Sequence, residues 1–495
     1  MRDELEKLFR HSAIFLVGLI FQRAARFFLL PLYWSVFPPA QFGLLDLFDV
    51  FIWVMTLTFS FALPSAYVKF HRIDVKEGVA AEILQGTTLV LSIGGIVLLG
   101  LVMASFQSPL SWLFFGGRYP LLYAIAGGAV VANIASLMLQ STLRAQGRAV
   151  TYTLLSSVQF LLLMFFNIYF IKIRGMGLEG VLWSTVLGGG IPALAYGAIN
   201  VRSLRWQFDS TIARRLFHFA LPLVPVTLVS FFLVASGRLF LQHFRDLESV
   251  GPEAVGILAT ANRVALILML VSVTPFQTAW GYLGLDCLRR PDAREILSRV
   301  FTYLLLIGLW TFLLVSTVGR EVILLFGKGN YLLALPYVDP LAAGYLMLLF
   351  FYWANIVLVG RNMTGQILLI SLAPFAIALV GGWLAIPRHG VGGACAVFLT
   401  AMAVHAGLTA VVGNHLLGFT LEKVRVGKIL LAFAIPYGLG QQTFCIMPGG
   451  RLATGFAQIV AFPLLLWAFG FLTHGEMARL RDLRSHIFGS LSGES

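Results

Sequence analysis

The chain has 495 residues, of which 59% are hydrophobic and 12% charged, with a mean hydropathy of +0.87. Soluble chains carry about 25% charged residues, so this balance excludes a soluble globular protein and implies that most of the surface faces lipid. The net charge of +13 does not indicate a nucleic-acid partner, because the Lys and Arg residues are scattered between apolar runs instead of clustering on one solvated face.

A helix needs about 20 mostly apolar residues to cross the hydrocarbon. The first such window is 12–36, which runs through Arg23 and Arg26 without a small-residue cleavage site and is therefore read as a membrane helix, not a removable signal. The next windows are 43–68, 83–106, 119–143, 150–171 and 178–200. Spans seven and eight, 216–243 and 254–284, are long, and Pro222, Pro225 and Pro275 predict kinks in them. The series closes with 299–318, 336–360, 364–386, 390–413, 428–446 and 452–473, giving about fourteen spans in an all-α polytopic membrane protein.

Lys and Arg near span ends are retained on the cytoplasmic side. With the N-terminus inside, about 23 of these residues fall in cytoplasmic segments and about 8 on the opposite side. Both termini are expected in the cytoplasm, as an even span count requires. No connection exceeds roughly 20 residues, which leaves no room for a soluble catalytic domain, and no GxxxxGK[ST] sequence is present to take ATP. Cys287, Cys395 and Cys445 have no metal-type spacing. The reading is a transporter and not an enzyme, with no cofactor or metal. Trp34, Trp112, Trp183, Trp280 and Trp353 are expected as interface anchors.

Two segment pairs match at an offset of 213: PPAQFG at 38–43 with GPEAVG at 251–256, and GMGLEG at 175–180 with RHGVGG at 388–393. At the same offset Asp49 falls on Asn262, and Arg26 lies within one residue of Arg238. Duplication of a six-helix unit accounts for this. It divides the chain into an N-terminal lobe at 1–213, a C-terminal lobe at 214–418 and two appended helices with a tail at 419–495. Six is even, so the copies share one orientation, related by an axis along the membrane normal.

An arginine at a helix centre costs about 2.5–3.5 kcal/mol on insertion scales and is retained where it meets protein or water. Arg23 lies about twelve residues into span one, and Arg26 shares its helix face with Gln22. Guanidinium forks match phosphate oxygens, so these residues, with Arg238 and Arg263 from spans seven and eight, are candidate cations of a central cavity. Asp46 and Asp49 sit at i and i+3, three to six residues inside the outer end of span two. That depth suits an outer gate, an ion pair neutralising the span-one arginines, or a site of coupling to H⁺ or Na⁺; Asn262 flanks Arg263 as a further gate position. Glu179, at the start of span six, reads as a helix-terminal carboxylate, and His405 as a packing residue.

The segments RFFLLPLYWSVFPPAQFGLLDLFD (26–49), GMGLEGVLWST (175–185), FALPLVP (219–225), GRLFLQHF (237–244) and VGILATANRVA (255–265) resemble the polysaccharide-transporter, Wzx-type branch of the multidrug/oligosaccharidyl-lipid/polysaccharide exporter superfamily. The resemblance covers spans one to twelve. It implies two MATE-like six-helix lobes and a flippase of the bacterial inner membrane that carries undecaprenyl-diphosphate-linked oligosaccharide from the inner to the outer leaflet. The diphosphate would meet Arg23, Arg26, Arg238 and Arg263, and polysaccharide polymerase or assembly proteins would be partners. A lipid II flippase of the same superfamily fits the same features. A multidrug antiporter fits less well, since it would be expected to hold a carboxylate where span one has Arg23 and Arg26. A membrane glycosyltransferase or polymerase would need a large outer loop, which the sequence lacks.

Overall fold

The computed structural model describes residues 28–74, 81–117, 119–200, 207–245, 250–327, 329–446 and 451–471. Arg23 and Arg26 lie outside them. The end of the first span is α1 (Leu30–Val36), with Pro31 at its start supplying a preset φ. After the extended Pro38 comes α2 (Pro39–Phe59), and Ser60–Ala62 breaks the second span before α3 (Leu63–Asp74). Phe61 and Ala62 adopt positive φ there. Next are α4 (Ala81–Ser105), the short α5 (Gln107–Phe115), α6 (Pro120–Ala145), α7 (Ala149–Ile168), which ends in a π turn, and α8 (Gly177–Asn200) with Glu179 in its first turn.

The seventh span is built from α9 (Ser210–Ala220) and α10 (Leu223–His243), joined at the Leu221–Pro222 turn. The eighth comprises α11 (Pro252–Leu268), a π turn at Met269–Val273 and α12 (Thr274–Leu288), so the kink expected from Pro275 falls in the wide turn just before it. Then come α13 (Ala293–Leu314), a π turn, α14 (Arg320–Phe326), a 3₁₀ segment at Gly329–Tyr337, α15 (Val338–Gly360), α16 (Thr364–Ala376) and α17 (Gly382–Leu417). The final pair is α18 (Lys423–Ile446) and α19 (Arg451–Ala468).

Among the described residues ten helical stretches are long and apolar enough to cross a bilayer. The last of these, 365–417, contains two spans, because Gly390 breaks α17 with φ 53° and ψ −128°. That position coincides with the sequence boundary between spans eleven and twelve. With α1, α18 and α19 the plan of about fourteen helices holds. Large apolar side chains such as Val150, Leu194, Val411 and Trp467 stand exposed along the helices, as lipid-facing surfaces require.

The chain forms two compact units. The first comprises Met1–Arg263, Ile323–Tyr337 and Leu368–Ala401; the second comprises Val264–Val322, Val338–Ile367 and Met402–Ser495. In the first, Phe48 stacks on Phe115 with centroids 3.9 Å apart and Phe51 meets Phe114 edge-on, which ties α2 to α5. The hydroxyl of Ser136 on α6 donates to the Gly189 carbonyl of α8 at 2.9 Å, a contact that the missing side chain at Gly189 allows.

In the second unit, Trp280 donates through Nε1 to the Trp353 carbonyl at 3.2 Å, and Trp353 donates to the Leu297 carbonyl at 3.1 Å. Both rings are buried, as is Trp34 in the first unit. These three are packing residues and not the interface anchors expected from sequence, because buried backbone carbonyls satisfy the two indoles of the second unit as interfacial water would have done. Trp112 and Trp183 are exposed. His405 is buried against the Phe351 ring, 4.0 Å between centroids, as a packing residue should be.

Candidate functional site

The site lies wholly in the first unit and begins where α2 crosses α11. A Cβ built on Gly43 would fall on the Pro252 carbonyl oxygen and 2.6 Å from the Gly256 nitrogen. A Cβ built on Gly256 would fall on the Pro39 carbonyl oxygen and 2.6 Å from its carbon. Only glycine at both positions lets the backbones meet this closely. The contact is reciprocal: Gly43 and Gly256 are 213 residues apart, and so are Pro39 and Pro252. The matched segments therefore face each other about a local pseudo-twofold axis, each repeating the other's contact, as self-complementary interfaces do.

One turn further along α2 the symmetry ends and charge takes over. Asp46 and Asp49 share a helix face, and two arginines converge on them. Arg238 of α10 donates through Nε to Asp46 Oδ2 and through Nη1 to the Val234 carbonyl at 2.8 Å. Arg263 of α11 donates through Nη2 to Asp46 Oδ1 at 3.1 Å and to Asp49 Oδ2 at 2.6 Å. Asp46 is 4% exposed and Arg238 7%, and Asn262 beside Arg263 is also buried. Two carboxylates and two guanidiniums sum to no net charge, which is what permits this depth. Desolvating each ion costs several kcal/mol, and removing one partner from such a set costs about 3–5 kcal/mol.

The 3₁₀ segment covers the same end of α2. Tyr331, 2% exposed, packs against Trp34 and Phe42 and donates its hydroxyl to the Phe37 carbonyl at 2.8 Å. Beside it the Asn330 amide donates to Glu253 Oε1 at 2.7 Å. On the inner side of α1, Tyr33 donates to Asn167 Oδ1 of α7 at 2.8 Å. The second unit has its own buried charge set: Arg320 donates to Asp339 at 2.5 Å and Tyr437 of α18 donates to the same oxygen at 3.0 Å. That hydrogen bond joins the penultimate helix to the start of α15.

Of the site residues anticipated from sequence, Asp46, Asp49, Arg238, Arg263 and Asn262 come together. The partners differ from one expectation: Asp46 and Asp49 carry Arg238 and Arg263, while Arg23 and Arg26 lie outside the described residues. The structure thus places Arg238 and Arg263 in a neutral cluster, not as bare cations. Tyr331 and Asn330 were missed. The nine-residue Gly329–Tyr337 segment is too short to give a periodic signal that would single out Tyr331. Among the described residues no group of three or more His, Cys, Asp or Glu side chains is placed to hold a metal ion.

No protein-family model matches the chain, and no curated protein is matched. Among solved structures the chain is similar to the lipid II flippase MurJ in an inward closed conformation, with 13% identity and a TM-score of 0.75 over 95% of this chain and 99% of that one. It is similar to a MATE transporter in complex with MaL6, with 16% identity and a TM-score of 0.59 over 82% of this chain and 94% of that one. A transporter of the MOP superfamily from Pyrococcus furiosus, described as having a binding pocket of reverse polarity, matches at 17% identity and a TM-score of 0.58 over the same shares. At these identities the likeness establishes the fold, which is that of the MurJ and MATE transporters; function must come from the site.

Proposed function

We propose that this protein is a flippase that carries an undecaprenyl-diphosphate-linked oligosaccharide, an O-antigen, capsule or exopolysaccharide repeat unit, from the inner to the outer leaflet by alternating access. The observation that carries the reading is the buried ion cluster. Its carboxylates come from one sequence copy and its cations from the other, beside a glycine crossing that also joins the copies. Such a cluster acts as a latch: closed, it is neutral and largely buried; parted, it leaves two carboxylates on one side and two guanidiniums on the other, which an entering anion or water can then satisfy. Packed interfaces of this kind switch between discrete arrangements instead of deforming continuously.

The loop charges put the latch at the outer end, with both termini in the cytoplasm. Arg23 and Arg26 are then the cations left to meet the diphosphate from within, while Arg238 and Arg263 join them once the latch opens. A proton or sodium ion that competes for Asp46 or Asp49 would couple the cycle to an ion gradient. A lipid II flippase is the second reading, favoured by the greater coverage of the MurJ match, 95% against 82% for the MATE transporter. The difference is about 64 residues, more than the 24 and 18 residues of the last two helices, and it weighs against a drug antiporter.

Depletion of the protein in its native host tests the reading. The expected result is accumulation of one lipid-diphosphate-linked glycan on the inner leaflet, and Arg23→Ala should reproduce it while Arg23→Lys restores part of the export. Accumulation of lipid II would select the second reading. Unchanged lipid-linked glycans together with increased sensitivity to cationic drugs would overturn both.

A further inference from the structure

The 3₁₀ segment at Gly329–Tyr337 owes little of its form to its own backbone. Hydrogen bonds in a 3₁₀ helix are poorer than in an α-helix and runs beyond about four residues are uncommon, yet nine residues keep the form here and Pro336 removes one of the backbone donors. About three residues per turn bring positions 331, 334 and 337 onto one edge. Burial follows that edge: Tyr331 and Ala334 are buried and Tyr337 half-buried, whereas Asn330, Leu332, Leu333 and Pro336 are exposed. Gly329, in open space with φ 59°, starts the segment as a hinge residue would.

That edge is fastened to both helices of the glycine crossing. On one side the Tyr331 ring packs on Trp34 and on Phe42 of α2, next to Gly43, and its hydroxyl donates to the Phe37 carbonyl at 2.8 Å, just before α2 begins. On the other, the Asn330 amide donates to Glu253 in the first turn of α11, next to Pro252. The Pro252 carbonyl is the group that Gly43 faces. The segment thus bridges the two helix ends that would have to separate. Beneath it the Trp34 indole Nε1–H is buried and finds no hydrogen-bond partner among the described residues. A buried donor of this kind costs free energy and calls for an explanation. Lifting Tyr331 would supply one, since water would then reach Trp34 Nε1 and the Phe37 carbonyl together.

We propose that Gly329–Tyr337 is a hinged strap that holds the α2–α11 crossing shut, with Tyr331 as its pin, and that it lifts before the crossing parts. The proposal rests on the reading of that crossing as a moving latch, and it adds an element from outside the two matched segments. The ion cluster makes the closed crossing attractive; the strap decides whether the helix ends are free to leave it. Of the two fastenings, the Asn330–Glu253 bond is exposed and readily exchanged for bonds to water. Tyr331, at 2% exposure, is the one that sets how often the strap lifts. The rest of the segment adds little, because Leu332 and Leu333 face outward.

Lifting is measured on the full-length protein with Cys287, Cys395 and Cys445 replaced by alanine. A thiol placed at the buried Ala334 reacts with a water-soluble maleimide only while the strap is up, so its labelling rate reports that population. Ala334→Cys should label slowly. Adding Tyr331→Phe, which loses one hydrogen bond, should raise the rate roughly fivefold, and adding the exposed Leu333→Ala should leave it unchanged. In a separate variant, Asn330→Cys/Glu253→Cys, a short reversible thiol crosslinker should stop export of the lipid-linked glycan, and reductant should restore it. Equal labelling with and without Tyr331→Phe would overturn the proposal, and so would normal export by the crosslinked protein. The labelling needs no substrate and judges the strap whatever the protein carries, whereas absence of export before crosslinking counts against the flippase reading alone.

Discussion

Replacing Gly256 with alanine adds one methyl group where the chain has no space for it. The new Cβ would fall on the Pro39 carbonyl oxygen and lie 2.6 Å from its carbon, whereas ordinary contact begins near 3.4 Å; clearing the carbon alone takes about 0.8 Å, and clearing the nearer oxygen takes more. The obstructing atoms are backbone, and no rotamer change relieves them. Overpacking of this kind costs about 1–3 kcal/mol, all of it charged to the arrangement in which the two helix ends meet. If that arrangement is one of two states, its population relative to the other falls roughly 5- to 150-fold. Spin labels at Gln41 and Glu253, both exposed at the starts of the two helices, report the change as a distance distribution shifted to longer values by pulsed electron resonance. Gly94→Ala and Gly100→Ala in α4, where an added Cβ meets nothing within 4 Å, are the controls and should leave the distribution unchanged. A Gly256→Ala protein that is well folded, gives the wild-type distribution and transports normally would refute the idea that this crossing is part of a moving gate.

Three further outcomes are expected. Arg263→Asp and Asp49→Arg should each lower stability in detergent by about 3–5 kcal/mol by leaving buried charge unmatched, and the double swap should recover part of the loss; single variants melting like wild type would mean that the cluster is hydrated and weak. Tyr331→Phe should cost about 1 kcal/mol and speed amide exchange across 329–337, with unchanged exchange arguing against the Phe37 hydrogen bond. Asp209, which caps α9 by accepting from the Ile212 and Thr211 amides, has its carboxyl held below the usual range, chiefly by the Ile212 N–H. Its cap is therefore fully present above the ordinary carboxylate pKa of about 4 and lost as pH falls through the lowered folded value. Exchange at Thr211 and Ile212 should accelerate only in that acid window, and in Asp209→Ala it should be fast and without this pH dependence.

The span plan was legible because hydrocarbon imposes a length on any helix that crosses it, and because Gly390 falls at a window boundary that hydropathy marks; the Ser60–Ala62 break, inside the 43–68 window, carried no such mark. The tryptophans were misjudged for a related reason. Trp280 and Trp353 sit near span ends by count, but a π turn and a close helix approach carry them inward, and neither feature has a periodic signature. The 3₁₀ cover was invisible for the same cause: most of Gly329–Tyr337 falls in the connection before the span-ten window at 336–360, and Tyr331 looks like any other residue there.

The ion cluster was half legible, and the missing half is where the two matched segments meet. The offset of 213 aligned Pro39 with Pro252 and Gly43 with Gly256, but identity at two positions in six cannot say that the aligned residues touch. The structure adds that they do, and reciprocally, so one glycine pattern serves both copies. The charges broke the pattern in a way that sequence recorded but could not interpret: Asp46 falls on Ala259, and Arg263 falls on Val50. Had the copies stayed alike, each would present the same charge to the other at the crossing, and the contact would be repulsive in low dielectric. As the chain stands, one matched segment carries the carboxylates and the other half supplies the guanidiniums, which makes the crossing attractive as observed; on the proposed mechanism, opening it would expose opposite charges. On the proposed mechanism the separated cations would be available to an anion at the moment the crossing parts, so that the step which opens the latch would also be the step which a diphosphate favours.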